Sequence, residues 1–137
     1  MSLQQWANNG WLRPHRSSPE EIQDLLAIVR RDLADAEAFY HAALGFDKVV
    51  WNYPGALFMS AGGYHHHLGT NTWASGAPPA SDADARLLEW EIVVPTKKNA
   101  EEAARHVKSA GYPVREENGE WILTDPWGTS LRLVPER

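Results

Sequence analysis

Four pairs of positions recur along the chain at nearly one offset, and this internal repeat restricts the fold more than any other feature of the sequence. The offsets are 66, 66, 66 and 64 residues, for the pairs Gly45 and Gly111, Phe46 and Tyr112, Asn52 and Asn118, and Gly55 and Gly119. Such a repeat indicates units that cannot bury an apolar face alone and therefore pack against each other. A length of 137 residues is typical of one domain, so we expect a single domain of two similar halves.

The first half is predicted to contain a strand, a helix and three further strands. Segment 22–30, IQDLLAIVR, is dense enough in Leu and β-branched residues for a strand, although its LLA run, residues 25–27, would also tolerate a helix. Residues 32–46 carry apolar side chains at helical spacing, with Asp32 as a possible N-cap and Gly45 at the end. Turn residues then separate three short strands, predicted at 47–51, 56–61 and 64–70.

The second half repeats this order. It has a predicted strand at 87–95, an amphipathic helix through 99–107 closed by Gly111, and strands at 113–117, 120–125 and 130–135. The expected fold class is therefore α+β, with two βαβββ modules forming a half-open barrel that has its helices outside and a cavity inside.

The ends of these modules set the predicted domain boundaries. Residues 1–19 are interpreted as an extended N-terminal arm that packs through Trp6 and Trp11, and residues 20–137 as the domain itself. The modules span about 20–73 and 87–135, and the linker 74–86 is rich in Ala, Pro, Ser and Asp without an apolar period.

Charge and residue usage exclude several classes of function. A formal net charge of −5 without a Lys/Arg cluster argues against a nucleic-acid partner. No apolar run approaches the roughly 20 residues that cross a bilayer, and residues 1–10 lack the features of a signal peptide, so we expect a cytoplasmic protein without a membrane partner. Because the chain has no cysteine, a metal ion would have to use His, Asp or Glu.

Three segments of the sequence resemble a known superfamily. Residues 32–46, DLADAEAFYHAALGF, and 125–134, DPWGTSLRLV, resemble the vicinal oxygen chelate superfamily of glyoxalases, extradiol dioxygenases and bleomycin-resistance proteins. Residues 55–73, GALFMSAGGYHHHLGTNTW, resemble the second half of bacillus-type catechol 2,3-dioxygenases. The resemblance covers residues 20–135 and implies paired βαβββ modules around a cavity that carries a divalent metal.

The positions at which this superfamily holds its metal are altered in this sequence. The first-strand His of the family falls on Asp24, or on Leu25 in the other register, and the second-module His falls on Glu89. The closing Glu falls on Arg132, whose guanidinium has no lone pair to donate and repels a divalent ion. The usual site of two His and one carboxylate is therefore not expected, and we predict no metal cofactor.

An offset of 65 aligns Asp24 with Glu89 and His67 with Arg132, and this alignment leaves two arrangements open. In one, Asp24, His67 and Glu89 converge on a divalent Fe, Mn or Zn ion. In the other, Arg132 replaces the charge of the metal and pairs with Glu89 and Asp24 across the cavity.

Three adjacent histidines in the predicted strand 64–70 supply further candidates, and we refer to His65, His66 and His67 as the histidine triplet. Because side chains alternate along a strand, at most two of the three histidines can face the cavity. They are interpreted as surface histidines, as ligand or proton-transfer groups, or as metal ligands. The candidate catalytic residues are His66 and Tyr64. The candidate ligand-binding residues are His65, His67, Glu89, Arg132, Trp73 and Trp121, and Tyr53 and Trp127 are possible further wall residues.

Three functions follow as expectations. The first is a protein of this superfamily that binds a small aromatic ligand in a cavity lined by Trp and His, without the usual metal triad. The second is a metal-dependent dioxygenase or glyoxalase-like lyase that uses Asp24, His67 and Glu89. The third is an accessory or scaffolding domain. The resemblance also implies a homodimer of C2 symmetry.

Overall fold

The computed structural model describes residues 2–13, 16–50, 52–74, 77–78 and 80–136. These residues form helices and two separate β-sheets, so the predicted α+β class is confirmed. The helices pack against strands of both sheets. Among the described residues the strands do not close into a complete ring, so the architecture is an open barrel.

Helix α2, Pro19–Ala36, occupies the segment in which a first strand was predicted. The Ser18 hydroxyl accepts a hydrogen bond from the Glu21 backbone amide, and Pro19 stands at the first helical position, where its missing N–H costs nothing. Acidic side chains in the first turn favour the positive end of the helix dipole. The strand prediction for 22–30 is therefore wrong, and Asp32 lies inside the helix instead of capping it.

A π-helix, Glu37–Ala43, continues α2 without a break and supplies much of the core. The helix ends just before Gly45, as the sequence predicts. Gly45 adopts a φ of 93°, a backbone conformation that residues with a Cβ rarely adopt.

Sheet A follows and has three antiparallel strands: β1, Asp47–Val50; β2, Ala56–Ser60; and β3, Leu68–Asn71. Their order is β1-β2-β3, and a bulge lies between Lys48 and Val50. The predicted strand 47–51 ends at Trp51, which lies outside the described residues.

Sheet B contains four strands, and one helix connects the first of them to the second along the chain. The elements are β4, Glu89–Val94; α3, Lys97–Ser109; β5, Val114–Glu117; β6, Glu120–Thr124; and β7, Ser130–Pro135. The strand order is β4-β7-β6-β5, and the pairing of β4 with β7 is parallel. Sheet A lacks a counterpart of β4, because the segment that would supply it is helical.

The core lies between the helices and the inner faces of both sheets. Its buried apolar residues come from the π-helix, α3, β2, β6 and β7, and include Phe39, Met59, Val107, Leu123, Leu131 and Leu133. Phe39 of the first half packs edge-on against Tyr112 of the second, with ring centroids 4.9 Å apart. The two halves therefore share one core, as the repeat predicts.

The N-terminal arm differs from its prediction. Residues Leu3–Asn8 form a short helix, α1, which begins with a capping box between Ser2 and Gln5. Trp6 and Trp11 are 38% and 66% exposed, so in this structure the arm does not bury its tryptophans. In the described part of the chain, no helix is long and apolar enough to cross a membrane.

Candidate functional site

An aromatic pocket of about 340 Å³ opens on the face of sheet A that is turned away from the helices. It is lined by Val50, Tyr53, Phe58, His65 and His66, and we refer to this set as the aromatic pocket. Three elements build it: the end of β1, the turn before β2 together with β2 itself, and the loop before β3.

Phe58 forms the centre of the aromatic pocket. Its ring lies 5.5 Å from that of Tyr53 and 5.2 Å from that of His66, both in edge-on contacts. The partner of Phe58 on β3 is Gly69, where an added Cβ would come within 3.3 Å of the ring. The two rings beside Phe58 thus leave a cleft with an apolar floor and imidazole groups at one side.

The histidine triplet lies in a loop, since β3 begins only at Leu68, and its predicted strand alternation is therefore wrong. Gly62 and Gly63, with φ values of 66° and 73°, adopt the left-handed conformation in the turn that precedes this loop. His65 and His66 line the aromatic pocket, with ring centroids 4.2 Å apart.

His67 instead turns toward β2. Its Nδ1 accepts a hydrogen bond from the Ala61 backbone amide at 3.2 Å and lies 3.2 Å from the Ser60 hydroxyl. The ring of Tyr64, which is 62% exposed, lies 4.9 Å from that of His67. These contacts hold the loop in place, and they separate His67 and Tyr64 from the lining of the aromatic pocket.

A second polar cluster surrounds Arg132 on sheet B. The guanidinium donates two hydrogen bonds to Glu89, at 2.8 and 3.0 Å, and one to Glu120 at 3.1 Å. Glu117 is 3.8 Å away. The hydrogen bonds to Glu89 are the main cause that raises the pKa of Arg132, and bonding to Arg115 is the main cause that lowers the pKa of Glu117.

Only part of the predicted charge network around Arg132 is present. The pair with Glu89 forms as predicted, because the parallel pairing of β4 with β7 brings both residues to one face of the sheet. Asp24 is exposed on α2, and the partners of Arg132 all belong to sheet B.

The donors present do not fit the divalent metal that the superfamily implies. Asp24 is on the exposed side of a helix, His67 bonds to the loop, and both oxygens of Glu89 are engaged by Arg132. Within the described ranges, no three His, Asp or Glu side chains are grouped so that they could hold one ion. The proposed convergence of Asp24, His67 and Glu89 is thus not found in this structure.

A larger cavity of about 560 Å³, the edge cavity, lies between α2, the end of β3 and the turn from β6 to β7. At its base the Tyr40 hydroxyl donates a 2.7 Å hydrogen bond to Asp125. Burial, and then this bond and the charge of Asp125, raise the pKa of Tyr40 well above its usual range. The other oxygen of Asp125 accepts from the amides of Trp127 and Thr129, so the DPWG motif forms a self-bonded turn.

The predicted wall residues have different locations. Tyr53 lines the aromatic pocket, Trp127 lines the edge cavity, and Trp73 is 67% exposed beside Tyr53, with ring centroids 6.3 Å apart. Trp121 packs toward α3 on the opposite face of sheet B from Arg132.

Sequence reasoning missed Phe58 and Val50 as pocket residues. The signal for Phe58 was present in strand 56–61, because Leu57 and Met59 have the alternation of a core-facing pair and Phe58 must therefore face the other side.

Comparison with known proteins identifies the family. The model of the Glyoxalase/Bleomycin resistance protein/Dioxygenase superfamily matches residues 22–133. A catechol-2,3-dioxygenase of Bacillus subtilis is 45% identical over 98 residues, which are 69% of this chain and 34% of that enzyme. The chain thus spans about a third of the length of this relative.

Solved structures agree on the fold. A lactoylglutathione lyase of Agrobacterium tumefaciens is 20% identical with a TM-score of 0.54, covering 76% of this chain and 85% of that one. An antibiotic-binding protein of a Streptomyces species is 18% identical with a TM-score of 0.56, covering 77% and 88%. The resemblance found in the sequence is confirmed, and the chain belongs to the glyoxalase, bleomycin resistance protein and dioxygenase superfamily.

Proposed function

We propose that the chain binds a small aromatic ligand of the catechol class in the aromatic pocket. The observation that carries this proposal is the grouping of Tyr53, Phe58 and His66 around one cleft of about 340 Å³ on sheet A. This volume is near the lower end of the range for small-molecule sites, and it is large enough for one substituted aromatic ring.

The chemistry of the lining suits such a ligand. An aromatic ring gains from stacked or edge-on contact with Phe58 and Tyr53 beyond the area it buries. The imidazoles of His65 and His66 can donate to or accept from ring hydroxyl groups near neutral pH. The name of the Bacillus subtilis relative refers to catechol, which supports an aromatic, oxygen-bearing ligand.

Binding is proposed in preference to metal-dependent turnover because of the donor set. Arg132 holds both carboxylate oxygens of Glu89, Asp24 is exposed on α2, and His67 accepts a hydrogen bond from the Ala61 amide. A metal-dependent dioxygenase or lyase that used these three residues would require a different arrangement of the first half.

Calorimetric titration of the full chain with catechol tests the proposal. We expect saturable binding to the wild-type protein, and binding weakened about tenfold by His66→Ala, since a lost stacking and hydrogen-bonding group is worth about 1.4 kcal/mol. His106→Ala, on the exposed face of α3, is the matched control and should bind like the wild type.

A second ligand separates aromatic recognition from simple diol binding. trans-1,2-Cyclohexanediol carries adjacent hydroxyl groups without an aromatic ring and should bind much more weakly than catechol. Equal heats for the two compounds, or full catechol affinity in His66→Ala, would overturn the proposal.

A further inference from the structure

The edge cavity is a second enclosed space, separate from the aromatic pocket. Its volume of about 560 Å³ lies within the range of roughly 300–1,000 Å³ that small-molecule sites occupy. The two sets of lining residues have no member in common. A ligand of the edge cavity would therefore bind independently of the aromatic ligand proposed above.

A buried carboxylate lies at the base of the edge cavity. Asp125 is 7% exposed, and both of its oxygens accept hydrogen bonds. One accepts from the Tyr40 hydroxyl at 2.7 Å, and the other accepts from the amides of Trp127 and Thr129 at 3.0 and 2.8 Å. All three bonds are accepted, as expected of an ionised carboxylate.

The negative charge of Asp125 has no cationic partner within the described ranges. Its bonded neighbours are a hydroxyl and two amides. Among the described residues that line the edge cavity, Arg31 is the only cation, and it donates two hydrogen bonds to Asp32, at 3.0 and 2.7 Å. A buried charge is stable when it is both hydrogen-bonded and paired with an opposite charge. Asp125 meets the first condition and lacks the second.

The wall of the edge cavity that β3 supplies also presents acceptors. The hydroxyls of Thr70 and Thr72 line it and donate to the backbone carbonyls of Leu57 and Gly55, at 3.5 and 3.2 Å. Because each hydroxyl has one hydrogen, these two oxygens have only lone pairs left for a ligand. The base and this wall therefore favour a ligand that donates hydrogen bonds.

The rest of the lining is apolar, and its largest member is a tryptophan. Trp127 is half-exposed, lies two residues after Asp125 in the same turn, and lines the edge cavity with Leu33 and Ala36. An indole attracts a cation that lies over its face, and it also packs against hydrocarbon groups. The turn thus brings an unpaired carboxylate and an aromatic side chain to one cavity.

We propose that the edge cavity binds a small primary aliphatic amine. Its ammonium group pairs with Asp125 and donates to the acceptors around it, while its hydrocarbon body packs against Trp127 and Leu33. A bare metal ion suits the cavity less well, because it needs several oxygen ligands and the described residues contain no group of three His, Asp or Glu that could hold one.

Cyclohexylmethylamine and its neutral analogue cyclohexylmethanol provide the test. In NMR titrations of the isotope-labelled full chain near neutral pH, the amine should cause saturable shifts at Tyr40, Trp127 and Thr129 and none at Phe58. The alcohol should bind at least about tenfold more weakly, because it lacks the charge. Equal affinities, or shifts centred outside the edge cavity, would overturn the proposal. Since the amine has no aromatic ring, its binding and that of catechol can fail separately.

Asp125→Asn removes the charge and keeps an oxygen that can accept from the amides of the turn. It should weaken amine binding by about tenfold or more, whereas Asp47→Asn, on the exposed start of β1, should bind like the wild type. Full affinity in Asp125→Asn would contradict the assignment.

Trp127→Leu tests the site without changing a buried group. The turn uses only the backbone amide of Trp127, so its hydrogen bonds stay intact in this variant. We expect amine binding weakened by about threefold, and no change in Trp11→Leu, which replaces an exposed tryptophan of the arm. Wild-type affinity in Trp127→Leu would also overturn the proposal, even if Asp125→Asn did not fold.

Discussion

At the scale of single residues, the Arg132 guanidinium occupies the space beside Glu89 that a metal ion would need. Its pairing with Glu89 was one of the two predicted arrangements, because both residues fall on positions at which the superfamily holds its metal. The position of Asp24 was not predictable from the same repeat, since the repeat describes corresponding positions and carries no information on whether a segment is helical.

Loss of Arg132 should destabilise the fold through charge repulsion. Arg132→Ala removes the guanidinium partner of Glu89 and Glu120 and leaves Glu117 paired with Arg115 alone. We expect a lower melting temperature, partly restored by 1 M salt, because salt screens the repulsion. Arg115→Ala, which removes only an exposed pair with Glu117, is the control and should change little. An unchanged melting temperature for Arg132→Ala would show that the cluster has no structural role.

The hydrogen bond from Tyr40 to Asp125 links the two halves and should contribute measurably to stability. Tyr40→Phe leaves one oxygen of a carboxylate that is only 7% exposed without its donor. We expect a loss of about 1–3 kcal/mol in the free energy of unfolding by urea. Tyr53→Phe, which removes an exposed hydroxyl, should lose less than about 0.5 kcal/mol.

The burial of Tyr40, together with its bond to Asp125, predicts sensitivity to alkaline pH. Folding raises the pKa of Tyr40 above its unfolded value of about 10, so its contribution is complete below that pH and is lost as the pH rises further. The stability difference between wild type and Tyr40→Phe should therefore narrow from pH 9 to pH 11. A constant difference over this range would contradict the assignment.

At the scale of elements, the second half was predictable almost strand by strand, whereas the start of the first half was not. Segment 22–30 combines strand-forming and helix-forming residues, and what decides its structure is the local sequence before it, Ser18 and Pro19 with the acidic first turn. The periodicity of apolar residues alone does not show whether a helix N-cap outweighs a composition rich in β-branched residues.

Two helix caps should differ in their effect on global stability. Thr96 caps α3, which buries Ala100, Ala104 and Val107, whereas Ser18 caps a helix start that has little buried surface. Thr96→Ala should lower the free energy of unfolding by about 1 kcal/mol. Ser18→Ala should change it much less, because its helix start can fray without exposing the core. Equal losses in urea titrations would contradict this difference.

At the scale of the whole molecule, the repeat predicted the shared core correctly but not its asymmetry. Buried residues from both halves meet around Phe39, so neither half has a core of its own. Sheet A has three strands and sheet B has four, because segment 22–30 of the first half is helical. The predicted homodimer and the predicted cellular location stay predictions.

A shared core predicts unfolding in one transition. Phe39→Ala removes a fully buried ring that contacts Tyr40 and Tyr112, and should cost about 3–5 kcal/mol. Calorimetry should show a single transition in both proteins, shifted to lower temperature in the variant. Two transitions in the wild type would indicate that the halves unfold independently.

The central claim is that this superfamily member binds an aromatic ligand on sheet A and not at the altered metal positions. Chemical-shift mapping of the isotope-labelled chain during a catechol titration tests it directly. We predict that the largest shifts occur at Val50, Tyr53, Phe58, His65 and His66, which line the aromatic pocket. Shifts centred on Glu89 and Arg132, or no shifts at saturating catechol, would contradict the claim.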